Sequence, residues 1–223
     1  MDVSDLIQSG LLAIGLLTLI FYILQYLKNN QKAALDDELA ILSQAFRVDE
    51  LYHPRYRHNA ISYPNRISTE IFTIDTSLSV FDSFYEYVSG AAHLIPDSEF
   101  THREMIVLYN TFTENLVHRD RLDMTFQILY SCIHGIISIN GSNVNKKKRL
   151  TRVQNTITSK QLICYYFNQV QYFDRQRIYN KYIREELYEY DFFKKMFESE
   201  PYRQIQNQIP LSVEQLFYKQ EIR

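Results

Sequence analysis

Apolar and polar positions are distributed unevenly along this chain. From Leu6 to Leu27 the sequence LIQSGLLAIGLLTLIFYILQYL has 22 residues and no charged side chain. A bilayer core takes about 20 mostly apolar residues in a helix, so the pattern predicts one transmembrane helix. Its anchor residues are Leu6, Leu11, Leu12, Leu16, Leu17, Ile20, Phe21, Leu24 and Leu27. Tyr22 and Tyr26 lie near one end, where an aromatic belt is expected. A cleaved signal peptide fits less well, because the first nine residues carry Asp2 and Asp5 but no Lys or Arg. Lys28 and Lys32 flank only the C-terminal end, so residues 1–5 are expected outside and residues 28–223 in the cytoplasm.

Beyond the apolar segment the period changes. Leu35, Leu39, Leu42 and Phe46 recur at helical spacing, giving a juxtamembrane helix within residues 28–68. Its second part, 51–68, contains Pro54 and Pro64 in a dense polar mixture and reads as an irregular connector. Residues 69–200 then carry successive amphipathic stripes. The first holds Ile71, Ile74, Leu78, Phe81, Phe84, Tyr85 and Val88 and ends near Gly90. The second follows Pro96 and includes Met105, Leu108, Phe112 and Leu116; the third, about 120–139, includes Leu122, Phe126, Leu129, Tyr130, Ile133 and Ile137. A fourth starts after Thr158, three residues before Gln161 as in a capping box, and a fifth covers about 174–198. Pro201 is expected to break the chain, leaving 202–223 as a weakly packed tail. The predicted fold class is all-α: a transmembrane helix followed by a cytosolic bundle of five to six helices.

Composition agrees with helices and narrows function. Gly and Pro number five each among 223 residues, and the net charge is −2, so no general attraction to nucleic acid is expected. Cys132 and Cys164 lie in apolar stretches without metal-ligand spacing and read as buried free thiols. Eighteen tyrosines and fourteen phenylalanines are many for this length. Tyr165, Tyr166, Phe167, Tyr172 and Phe173 crowd one helix beyond what a single buried face holds, so some are expected at an interface with a protein partner or a second copy.

Two segments carry a family resemblance. TFQILYSCIHGIISI and NTITSKQLICYYFNQV, separated by a polar loop, resemble the phage abortive infection family of bacterial proteins (the AbiC-like group). Phe126, Leu129 and Tyr130 match its first motif; Ile157, Thr158, Leu162, Tyr165, Tyr166, Phe167 and Asn168 match its second. Gln161 stands where the family has Glu, and Gln154 where a basic residue is common. The resemblance implies a bacterial anti-phage defence protein at the inner membrane, whose helical domain senses or binds a partner. It implies no particular chemistry.

Candidate chemistry is sparse. Arg47-Val-Asp-Glu-Leu-Tyr-His53 fits the Arg-x4–6-His pattern of HEPN-type RNases, which makes Arg47 and His53 an alternative catalytic pair. About one such match is expected by chance at this composition. None of the six histidines forms HExxH or an i, i+4 pair, and His134 reads as a hydrogen-bonded core residue. No cofactor or metal is expected. Lys146, Lys147, Lys148 and Arg149 form the strongest basic cluster. Placed in a loop, they could touch anionic lipid or nucleic acid phosphates, or simply be solvated. A third reading is a membrane scaffold or regulator unrelated to phage.

Overall fold

The computed structural model describes residues 3–65, 67–95, 102–138, 142–175, 187 and 190–206, with side chains except at 3–17, 27, 28, 31, 102, 171–175 and 206. The chain divides into two units, Met1–Ile41 and Leu42–Arg223.

The first unit belongs to a single helix, α1 (Val3–Ala45), which runs 43 residues without a break. Leu19, Ile20, Phe21, Tyr22, Ile23, Leu24 and Tyr26 are all exposed. Among the described residues no helix is long and apolar enough to cross a membrane. This corrects the expected transmembrane helix and, with it, the single-pass inner-membrane localisation. The anchor positions Leu6, Leu11, Leu12, Leu16, Leu17 and Leu27 lie outside the described side chains.

The second unit is mostly helical but not purely so. After α2 (Asp49–Tyr52) comes a small antiparallel ribbon, β1 (Ala60–Ser62) with β2 (Ile71–Thr73), in the register Ala60↔Thr73, Ile61↔Phe72 and Ser62↔Ile71. The connector is thus ordered, and Ile71 belongs to a strand, not to the first amphipathic helix. The β-branched Ile71, Thr73 and Ile74 suit extended backbone, and the Ile74 amide continues the pairing by donating to the Asn59 carbonyl at 2.8 Å. The helix starts later, at α3 (Val80–Leu94), where the Ser79 hydroxyl caps the Asp82 amide. Residues 55–58 are pinned as well. Arg57 N–H donates to the Asn115 carbonyl, Val117 N–H to the Arg55 carbonyl, and the Asn115 side-chain amide brackets the His58 backbone at 3.0 and 2.8 Å.

Gly90 does not end α3, which runs on to Leu94. A Cβ here would lie 2.3 Å from the Tyr63 hydroxyl, so glycine is what lets Tyr63 stack on Tyr87 with ring centroids 5.0 Å apart. The ribbon is thereby clamped to α3.

Next come α4 (His102–Glu114), α5 (Arg119–Ser138), α6 (Asn143–Thr156), α7 (Ser159–Arg175), and the short α8 (Lys194–Phe197) and α9 (Glu200–Gln206). The region expected as a polar loop is the helix α6. The region expected as a tail begins with α9, whose Tyr202 and Ile205 are fully buried. Pro201 sits in the first turn of that helix, where its missing N–H costs nothing. Residues 207–223, including the expected short helix near Val213–Tyr218, lie outside the described residues.

The core is built on α7. Every residue from Gln161 to Val170 is buried, because α3, α4, α8 and α9 all pack against this one helix. Tyr165, Tyr166 and Phe167 are each 0% exposed. For these three an outward position does not hold: neighbours surround the helix, so more than one face is available for burial. Tyr172 and Phe173 have side chains outside the description.

Candidate functional site

Both resemblance motifs fall on the core. Phe126 and Leu129 on α5 are buried, as are Ile157, Leu162, Tyr165, Tyr166, Phe167 and Asn168 at and along α7. Tyr130 is half-buried, with its ring stacked near His134 at 6.0 Å. The rings of Phe126 and Tyr165 meet at 5.3 Å, which joins the first motif to the second. Thr158 and Gln161 form the predicted capping box. Gln161 N–H donates to the Thr158 hydroxyl at 3.3 Å, and Thr158 N–H donates to Gln161 Oε1 at 2.8 Å.

Two buried amide side chains of α7 are hydrogen-bonded within the core. Asn168 Nδ2 donates to the Tyr109 hydroxyl at 2.9 Å, and Gln169 Nε2 donates to Asn168 Oδ1 at 3.2 Å. Burial pushes the Tyr109 phenol and the nearby Cys164 thiol well above their ordinary ranges, so both stay protonated at neutral pH. Cys132 and Cys164 are both buried thiols. The two departures from the family pattern have clear local roles. Gln161 completes the cap, and Gln154, itself buried, donates through Nε2 to the carbonyls of Asp191 and Phe192. A charge at position 154 would be costly to desolvate here.

The other candidates do not gather into a site. Arg47 lies in the turn after α1 and is exposed. His53 caps the end of α2, 3.9 Å from Asp49, with its side chain 77% exposed. No helix holds the two together as the RNase arrangement requires. His134 is exposed on α5 with its Nδ1 3.5 Å from the Ser138 hydroxyl, which corrects its expected core position. Among the described residues no group of three His, Cys, Asp or Glu could hold a metal ion.

The basic cluster is where the structure adds most. Lys146, Lys147, Lys148 and Arg149 lie in the first half of α6, not in a loop. Ser142 caps this helix, and Leu150, Val153 and Gln154 turn inward. Lys147, Lys148, Thr151, Arg152 and Asn155 are exposed. Asp191, in the left-handed region at φ 53°, pairs with Lys147. Lys195 donates to Asn155 Oδ1 at 2.8 Å, which brings α8 alongside α6. The helix was legible in the spacing of Leu150, Val153 and Ile157 and in Ser142 ahead of it. The contribution of α8 was not, since it depends on a contact 40 residues away in sequence.

No family model, curated protein or solved structure matches this chain.

Proposed function

We propose that this chain is a bacterial anti-phage protein of the abortive-infection type, acting by binding a partner through its helical domain. The observation that carries the reading is the contact between the two motif segments, Phe126 on α5 against Tyr165 on α7 at 5.3 Å. Segments that resemble the family separately are also partners in one core, as expected if they are a shared fold signature. A binding role is favoured over catalysis because Arg47 and His53, both exposed, sit at helix ends and not side by side on a helix.

The test is phage challenge of bacteria expressing the intact chain, scored for plaques and host survival at low and high phage dose. Protection at low dose with culture collapse at high dose is the expected outcome. No protection across a broad phage panel, with the protein present at steady level, would overturn the proposal. Protection abolished by His53→Ala, together with RNA cleavage by the purified chain, would replace binding with nuclease action.

A further inference from the structure

We propose that the outer edge of β2 is a docking site for an extended, basic-flanked peptide segment of a partner protein, which joins the ribbon as a third, antiparallel strand. The backbone bonding prepares this edge. Ile74 N–H donates to the Asn59 carbonyl and Tyr63 N–H to the Glu70 carbonyl. With the register Ile61↔Phe72 between them, the hydrogen-bonded pairs are Asn59–Ile74, Ile61–Phe72 and Tyr63–Glu70. The alternate residues of β2, Ile71 and Thr73, therefore turn their N–H and C=O away from β1. Among the described residues the sheet has two strands, so no strand meets those groups.

The edge is open and firmly seated. Ile71 is 63% exposed, and Glu70 and Thr73 are exposed beside it. Phe72 turns to the other face, half-buried, with its ring 5.4 Å from that of Tyr87 and 6.4 Å from that of Tyr63. Since Tyr63 also stacks on Tyr87, both strands are tied to α3. An incoming strand thus bears the ordering cost of itself alone. Bound antiparallel, it exchanges backbone hydrogen bonds with Ile71 and Thr73. Its residue opposite Phe72 then takes the close spacing of about 4.5 Å between Cα atoms, where an apolar side chain extends the Phe72 cluster.

Charge selects the occupant. Glu70 and Asp75 bracket β2 and are both exposed. The Asp75 carboxylate accepts from the Ser77 amide and hydroxyl, neutral donors that leave its charge in place. A second copy paired antiparallel at this edge would set Glu70 of each copy at the same end as Asp75 of the other, and like charges suppress such pairing. A strand with Lys or Arg at both ends meets the same carboxylates favourably. Charged edges keep identical copies apart, and this one stays available to a strand of opposite charge. Peptide binding is read without phage, so its failure would leave the defence proposal standing.

The experiment selects a displayed library of random peptides about ten residues long against the full chain, and measures the enriched peptides by fluorescence anisotropy. The expected sequences have β-branched residues with Lys or Arg at both ends, and their affinity falls as salt rises. Ile71→Lys, which puts a charge on the exposed edge, should weaken them at least about tenfold, and Glu70→Lys/Asp75→Lys should do the same. Circular dichroism melting checks that both variants remain folded. Methylating alternate amides of the peptide tests the hydrogen bonds with the protein unchanged: the set facing Ile71 and Thr73 should abolish binding, and the other set should not. No enriched peptide, equal affinity for parent and Ile71→Lys, or tolerance of methylation in both sets would overturn the proposal. So would a concentration-dependent dimer of the parent that Ile71→Lys disperses, since a second copy would then occupy the edge.

Discussion

Helices α6 and α7 are joined by only Ile157 and Thr158 and, but for Asp174 in the last turn of α7, carry no acidic residue, yet they occupy opposite environments. In α7 ten consecutive residues are buried, and the aromatic rings of Tyr165, Tyr166 and Phe167 contact neighbours on several sides. In α6 only Leu150, Val153 and Gln154 are buried, and the remaining positions, Val144 apart, are polar, five of them basic. The difference lies in how many elements each helix must satisfy. A helix with one apolar stripe packs on one neighbour, whereas a helix apolar on most sides must be enclosed. Burial follows the same division: α7 is enclosed in the core, and α6 leaves most of its positions toward solvent.

The contrast is tested first where it should be largest. Tyr166 is fully buried, and its ring meets Phe193 at 5.3 Å, Phe197 at 5.6 Å and Tyr202 at 6.5 Å. Tyr166→Ala removes the contact surface for three aromatic partners and should cost about 3–5 kcal/mol by urea denaturation. Lys148→Ala on the exposed face of α6 should change stability by no more than about 0.5 kcal/mol. Similar costs for the two would mean that α7 is not the centre of the core.

The next test concerns the one buried polar side chain of α6. Gln154 donates to the carbonyls of Asp191 and Phe192, and so holds the segment that leads into α8. Gln154→Leu keeps the volume but removes the donor, which should cost about 1–3 kcal/mol. A variant as stable as the parent would show that water replaces the amide.

At the junction of the two helices, Thr158→Ala should cost about 1 kcal/mol by removing the cap on the Gln161 amide. Gln161→Ala should cost a similar amount and add little to the first change, because the two side chains form one reciprocal cap. Full additivity would show that they act separately.

These elements also show what the sequence made legible. The capping box of α7, the extent of α5 and the buried cysteines follow from local pattern, and each is a local property. The inward-facing ring set of α7 did not follow, because enclosure by α3, α4, α8 and α9 involves long-range partners that no period reports. The ribbon was hidden because Ile71 and Ile74 fit a helical stripe as well as a strand; Ser79 and the Asp75–Ser77 turn decide between them. The expected membrane anchor is not supported, because among the described residues no helix is long and apolar enough to cross a membrane. The cations of α6 were evident in sequence, but the contact of α8 with α6 was set by folding.

The smallest effect concerns Lys160, in the first turn of α7. Unlike Lys148, it is committed within the fold. Its ammonium donates to Asp82 at 2.8 Å and lies 4.8 Å from the centre of the Tyr85 ring. Burial raises the Asp82 carboxyl, but hydrogen bonds from Lys160 and Ser79 outweigh it and hold the group below its usual 3.8. A carboxyl depressed in the folded state contributes stability at pH values above its unfolded pKa, and loses it as pH falls through the folded value. Both partners are about a third exposed, so solvent screening limits the pair to under about 1 kcal/mol. Asp82→Asn should therefore lower stability slightly at neutral pH, with the gap to the parent closing below about pH 4. Raising salt to about 1 M should narrow the neutral-pH gap, since screening acts on partly exposed charges. A gap that persists unchanged at low pH would assign the effect to the Ser79 cap alone and leave Lys160 as exposed in function as the lysines of α6.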